Sequence, residues 1–130
     1  MKNISDIVIN ALEKVVSSPV HDEDQIAQYF SPDYQQSVDG QQLTYADFVR
    51  HMETLKSVSE KTEITVKTAV AEGDTVFTHH YVNVEKSRGG KSEFEVFACF
   101  TLSAGKIIRC EELTRMLNGD AEDQDLASRK

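Results

Sequence analysis

Basic residues are in short supply, with 14 Lys and Arg against 22 Asp and Glu and a formal net charge of -8. Affinity for a phosphate backbone comes mainly from Lys and Arg, so no nucleic-acid partner is expected. Long apolar runs are missing too. Nothing approaches the roughly 20 consecutive apolar residues of a membrane span, and Asp6 and Glu13 interrupt anything like a secretory core. A cytoplasmic protein with no membrane contact is the expectation. Only 2 cysteines occur, Cys99 and Cys110; they form neither a CxxC pair nor a Cys/His zinc spacing, and reduced thiols serving as small core fillers are expected. There is no glycine-rich phosphate loop, nucleophile elbow or metal motif, so neither metal nor cofactor is expected.

What remains suits one domain of 130 residues, large enough to hold a core without disulfides or a structural metal. Ile4, Ile7, Val8, Ala11, Leu12, Val15 and Val16 recur at helical spacing behind Asn3 or Ser5 as cap, and Ser18-Pro19 stops the helix. Asp22-Glu23-Asp24 opens a short second helix with Ile26, Tyr29 and Phe30 on its apolar side, closed by Ser31-Pro32. Tyr34 to Val38 reads as a brief strand and Asp39-Gly40 as a turn. Thr44 and Asp47 then form a weak capping box before a third helix bearing Tyr45, Phe48, Val49, Met52 and Leu55.

From Thr62 onward the period changes to two. Thr62 to Ala71, Asp74 to Glu85, Glu93 to Ser103 and Ile107 to Met116 read as four long antiparallel strands. They are joined at Glu72-Gly73-Asp74, Ser87 to Gly90 and Ala104-Gly105-Lys106. The fold class is α+β: a cone-shaped, curved antiparallel sheet wrapped around three N-terminal helices. The domain spans 1–118. Residues 119–130 form an acidic C-terminal tail with too few apolar side chains for core, expected to be mobile or docked on a partner.

This order, with YFSPDY entering the first strand, GDTVFTHHYV the third and AGKIIRCEEL the last, resembles the SnoaL-like branch of the nuclear transport factor 2-like superfamily, a cystatin-like fold. The superfamily holds isomerases, epoxide hydrolases, polyketide cyclases, dehydratases and proteins with no chemistry, so function rests on the lining residues. Beside the limonene-epoxide hydrolases, the resemblance puts their catalytic arginine at His80, one aspartate at Val82 and the other at Glu112, and the water-holding Tyr and Asn at Gln36 and Val38. Beside the ketosteroid isomerases, the general-base aspartate falls on Val38 and the oxyanion-stabilising one on Phe97. Only Glu112 keeps its chemical type, so neither mechanism carries over.

The same resemblance puts His80, Val82, Glu95 and Phe97, with Cys99, Cys110, Glu112 and Thr114, on the concave face, and the expected hairpin registers bring His80, Phe97 and Glu112 into one row. In such a pocket Glu112 is expected to favour the imidazolium of His80, giving a catalytic proton-transfer pair; a satisfied structural pair is the other reading. Tyr34, Gln36 and Val38 from the first strand complete the expected binding site, with Phe48 and Met52 from the third helix. Cys99 and Cys110 are expected opposite one another. His79 and His80 point to opposite faces and cannot share a metal, and His51 is read as solvated. The convex face, with Phe77, His79 and Tyr81, is a candidate homodimer surface unless the tail covers it. Two functions follow: a pocket protein that binds a small, largely apolar molecule with a carbonyl or hydroxyl, or an isomerase, cyclase or dehydratase using His80 and Glu112.

Overall fold

The computed structural model describes residues 3–124, 126 and 129. Asn3 caps helix α1 (Ile4–Ala11), accepting from the Ser5 amide at 2.9 Å. The helix runs on as a π-helical turn, Leu12–Val16, closed by Ser17 N donating to the Leu12 carbonyl. Asp22 caps α2 (Glu23–Tyr29) by accepting from the amides of Asp24 and Gln25. At α3 (Tyr45–Val58) the capping box is complete, with Thr44 and Asp47 each accepting from the other's amide. Lys56 of α3 donates to the carbonyls of Val15 and Val20, tying this helix to the end of the first. Each cap satisfies amides that a helix cannot pair internally.

The strands are β1 (Phe30–Val38), β2 (Gln41–Thr44), β3 (Ser59–Glu72), β4 (Thr75–Lys86), β5 (Lys91–Ser103) and β6 (Lys106–Asn118). They form one six-stranded sheet in the order β2-β1-β6-β5-β4-β3. Helices and strands are segregated as α+β, but the sheet is mixed rather than antiparallel, because β1 runs parallel to β6. Side-chain periodicity sets which face a strand presents and carries no information on partner direction. β2 was not expected: at four residues, with Leu43 its one buried side chain, it is too short to show a period. Nor does Ser31-Pro32 end α2 outside the sheet. β1 already starts at Phe30, and its register on β6 jumps from Phe30↔Ile107 to Gln35↔Arg109. Pro32 sits in that unpaired bulge, where its missing N–H costs no ladder bond.

Concave-face residues pack on the helices. Phe30, Tyr34 and Phe48 form a ring cluster with centroids 4.7 to 5.0 Å apart. A bulge at Ile108 lets both Ile107 and Cys110 face inward; another, at Lys67, bends β3. β5 corrects the expected facing. Phe94, Val96, Ala98, Phe100 and Leu102 look inward, while Glu95, Phe97 and Cys99 look out. Glu93, Glu95 and Thr101 share the outward parity while the inward one is apolar from Phe94 to Leu102, so the alternation itself sets the facing. The β4–β5 hairpin register agrees, pairing Val84 with Ser92 and Glu85 with Lys91. A slip of one residue exchanges the faces. Cys99 therefore pairs with Glu111 and Cys110 with Phe100, leaving two free thiols on opposite faces rather than facing each other.

The expected mobile or partner-docked tail is corrected only at Asp123 and Leu126; residues 125, 127, 128 and 130 lie outside the described residues. Leu126 and Asp123 are buried against the chain itself.

Tight two-residue turns join β1 to β2 and β5 to β6, with φ of 49° and 88° at Asp39-Gly40 and 51° and 79° at Ala104-Gly105. Positive φ at both positions matches the twist of the flanking strands. Ala104 is the strained member, since a Cβ in the left-handed region costs roughly 1–2 kcal/mol. Ala104→Asn should stabilise the protein by about 0.5–1 kcal/mol without altering the sheet. Chemical denaturation of the two forms checks this, and an unchanged or lower midpoint would contradict it.

Candidate functional site

Between the helices and the concave face lies a cavity of about 90 Å³, several times what one water needs. α3 contributes Phe48, His51, Met52 and Leu55, and the sheet adds Val82, Val96 and Phe100 among others. Most of the lining is apolar.

The polar side chains enter in separate groups. The parallel pairing of β1 with β6 sets Gln36 beside Cys110 and Val38 beside Glu112. Tyr34 Oη donates to Gln36 Oε1 at 2.7 Å, and Gln36 Nε2 donates to Glu112 Oε1 at 3.4 Å. Cys110 Sγ lies 4.0 Å from the other Glu112 oxygen. On β4, His80 Nδ1 and Thr78 Oγ1 are 2.9 Å apart. On α3, His51 Nδ1 donates to the Arg129 carbonyl at 2.7 Å, leaving Nε2 of the neutral ring as an acceptor.

Of the expected site residues, Tyr34, Gln36, Phe48, Met52, His80, Val82 and Glu112 line this cavity. Val38 is buried on the same face but is not part of the lining. Glu95 and Phe97 are on the other side of the sheet. There Phe97 stacks on His79 at 4.3 Å, and Glu95 accepts from His79 Nε2 at 2.8 Å and from Arg115 at 2.9 Å. Phe97 is 42% exposed. Nor do His80, Phe97 and Glu112 share a row. The register aligns His80 with Val96 and Thr114, and Glu112 with Ala98 and Thr78. Among the described residues no hydrogen bond or ion pair joins His80 to Glu112.

His51 was read as solvated and is buried. The signal was present in the sequence: His51 follows Phe48 by three residues and precedes Leu55 by four, which puts it on the apolar stripe of α3.

Burial, rather than a charged partner, governs the two titratable groups at the centre. It lowers His80 to about 4, helped by the charge of the adjacent His79, so the ring is neutral near pH 7. The expected preference for imidazolium is thus reversed. Glu112 is half-buried and lines the cavity. Burial and then the carboxylate of Asp39 push it up to about 7. Asp39 is held there because its carboxylate accepts from both the amide and the hydroxyl of Thr114. Burial also raises Tyr34 and Cys110 far above their usual ranges, leaving both as neutral donors.

The two groups act on stability in opposite directions. An acid whose pKa is raised on folding binds extra protons between its unfolded and folded values, so stability falls as pH rises from about 4.5 to about 7. His80, lowered on folding, loses stability as pH falls from 6.5 to about 4. Glu112→Gln should therefore gain on the wild type across pH 4.5 to 7, by a total on the order of 2–3 kcal/mol. Denaturation of both proteins at several pH values checks the slope; a constant difference would refute the raised carboxyl.

A family model described as SnoaL-like domain matches residues 19–110. An uncharacterised protein of Schizosaccharomyces pombe is 31% identical over 128 residues, covering 98% of each chain. AclR, a candidate hydroxylase from Streptomyces galilaeus, superposes with a TM-score of 0.73 at 18% identity, over 98% of this chain and 89% of that one. IdmH, a candidate polyketide cyclase from Streptomyces antibioticus, gives 0.73 at 16% identity, over 90% and 94%. At these identities the two structures speak for the fold alone.

Proposed function

This chain belongs to the SnoaL-like domain family, and from that premise we propose that its cone binds a small, largely apolar molecule through one carbonyl or hydroxyl group. One observation carries the reading: the Glu112 carboxyl, raised to about 7, sits in a mainly apolar cavity with no ion-pair partner among the described residues. Protonated, it donates to a carbonyl; ionised, it accepts from a hydroxyl. Gln36 holds one of its oxygens and fixes its direction. A few aimed polar groups on apolar walls are what a small-molecule site needs.

A second reading is favoured by the pairing of that carboxyl with a neutral imidazole in the same cavity. Glu112 near 7 and His80 free of charge suit general acid and base roles in isomerisation, cyclisation or dehydration. IdmH, similar in fold, is described as a candidate polyketide cyclase. In this reading His80 and Glu112 act on different atoms of the substrate, since they do not touch each other.

Cyclohexanone serves as a test ligand, followed by heteronuclear NMR. If the protonated carboxyl is the donor, affinity should fall roughly tenfold between pH 6 and pH 8, and Glu112→Gln should flatten that dependence. Binding that ignores pH in the wild type would refute the role given to Glu112. His80→Gln should leave ketone binding intact under the first reading and abolish turnover of any substrate under the second.

We further infer a homodimer through the convex face. Phe77 and Phe97 are each 42% exposed there and Leu113 is 67% exposed; His79, Phe97 and Leu113 lie in one cross-strand row. Contiguous apolar exposure of this kind favours association. Free thiols at Cys99 and Cys110 suit the reducing cytoplasm. Leu113→Glu should shift the sedimentation coefficient from dimer to monomer at micromolar concentration, whereas a monomeric wild type would reject the interface.

A further inference from the structure

One side chain of the cavity wall belongs to no helix or strand of the cone. Leu126 follows the short 3-10 turn Ala121–Asp123, lines the cavity and is 3% exposed. Its backbone is fixed by its own amide, which donates to the Asp123 carbonyl at 3.0 Å.

Asp123 in turn is clamped outside the cavity. It is 3% exposed, accepts from Ser92 Oγ at 2.6 Å and pairs with Lys86 Nζ at 2.9 Å. Lys86 also reaches Asp120 at 2.9 Å. Ser92 and Lys86 flank the β4–β5 hairpin, so the clamp ties this segment to the sheet. Gly119 makes the approach possible: at φ 139° a Cβ there would lie 2.7 Å from Ser92 Oγ, too close for any side chain. An acidic segment that merely trailed from the domain would bury neither a leucine nor an aspartate.

We propose that Leu126, held by the clamp of Asp123 on Ser92 and Lys86, sets the upper size limit of what the cone accepts. The proposal rests on the binding reading above and makes the segment after β6 a specificity determinant of that site. With Leu126 in place the space is about 90 Å³, well under the roughly 300–1,000 Å³ of pockets for drug-sized ligands. Its isobutyl group stands where a larger ligand would extend.

The unaltered protein, Leu126→Ala and Asp123→Ala are titrated with cyclohexanone and with the bicyclic 2-decalone, and thermal unfolding confirms that each variant is folded. Leu126→Ala removes the stopper; Asp123→Ala removes its clamp on Ser92 and Lys86, and Asp123 is not itself part of the cavity lining. The wild type should prefer cyclohexanone, and each variant should shift the ratio of the two dissociation constants at least tenfold toward 2-decalone. A leucine that merely completes the core would lower the unfolding temperature and leave that ratio alone. An unchanged ratio in both folded variants, with cyclohexanone still bound, overturns the size limit and spares the binding reading. Failure of every form to bind either ketone overturns the binding reading and this inference with it.

Discussion

The parallel contact between β1 and β6 is the interaction on which the cone depends. β1 leaves α2 and β6 is the last strand, so their pairing closes the chain's two ends around one interior. It also builds the polar corner: Tyr34 and Gln36 come from one strand, and Cys110 and Glu112 from the other. Asp39, one residue beyond the ladder, continues it by accepting from Thr114. The charge that helps keep Glu112 protonated is therefore part of the same seam that shapes the fold.

Competition between solvation and charge explains why the site differs from a salt-bridged pair. A buried His and Glu in contact would stabilise one another's ions. Here they occupy different rows, and each is left to burial, which favours the neutral form of both. The outer face shows the opposite arrangement. His79, Glu95 and Arg115 meet directly, and the hydrogen bond from His79 is the leading cause of the lowered Glu95 pKa.

Much of this was legible in the sequence, and the failures have specific causes. The helix starts at Asn3, Asp22 and Thr44 follow from local chemistry, and the inward facing of His80, Val82, Cys110, Glu112 and Thr114 followed from the resemblance. β5 carried a clear signal of its own, with Phe94, Val96, Ala98, Phe100 and Leu102 on one parity and Glu93, Glu95 and Thr101 on the other, but the expected facing was taken from the resemblance and lay one residue off. That slip displaced Glu95 and Phe97 from the site. His51 was readable from its spacing but was discounted for its polarity. The burial of Leu126 could not be read, since an isolated leucine in an acidic stretch acquires meaning only through Lys86 and Ser92, over thirty residues earlier in the chain.

The bulge at Lys67 has a consequence for behaviour in crowded solution. An unclosed sheet ends in two strands whose outer amides and carbonyls are available to a neighbouring chain. β2 offers only four residues, but β3 offers fourteen, enough to template pairing. The extra residue between Val66 and Thr68 breaks that edge's regularity, and Glu60, Lys61, Glu63 and Lys67 place charge along it. An incoming flat strand would lose register at the bulge and strand charges without water, so the long edge resists self-templated aggregation while the sheet stays open.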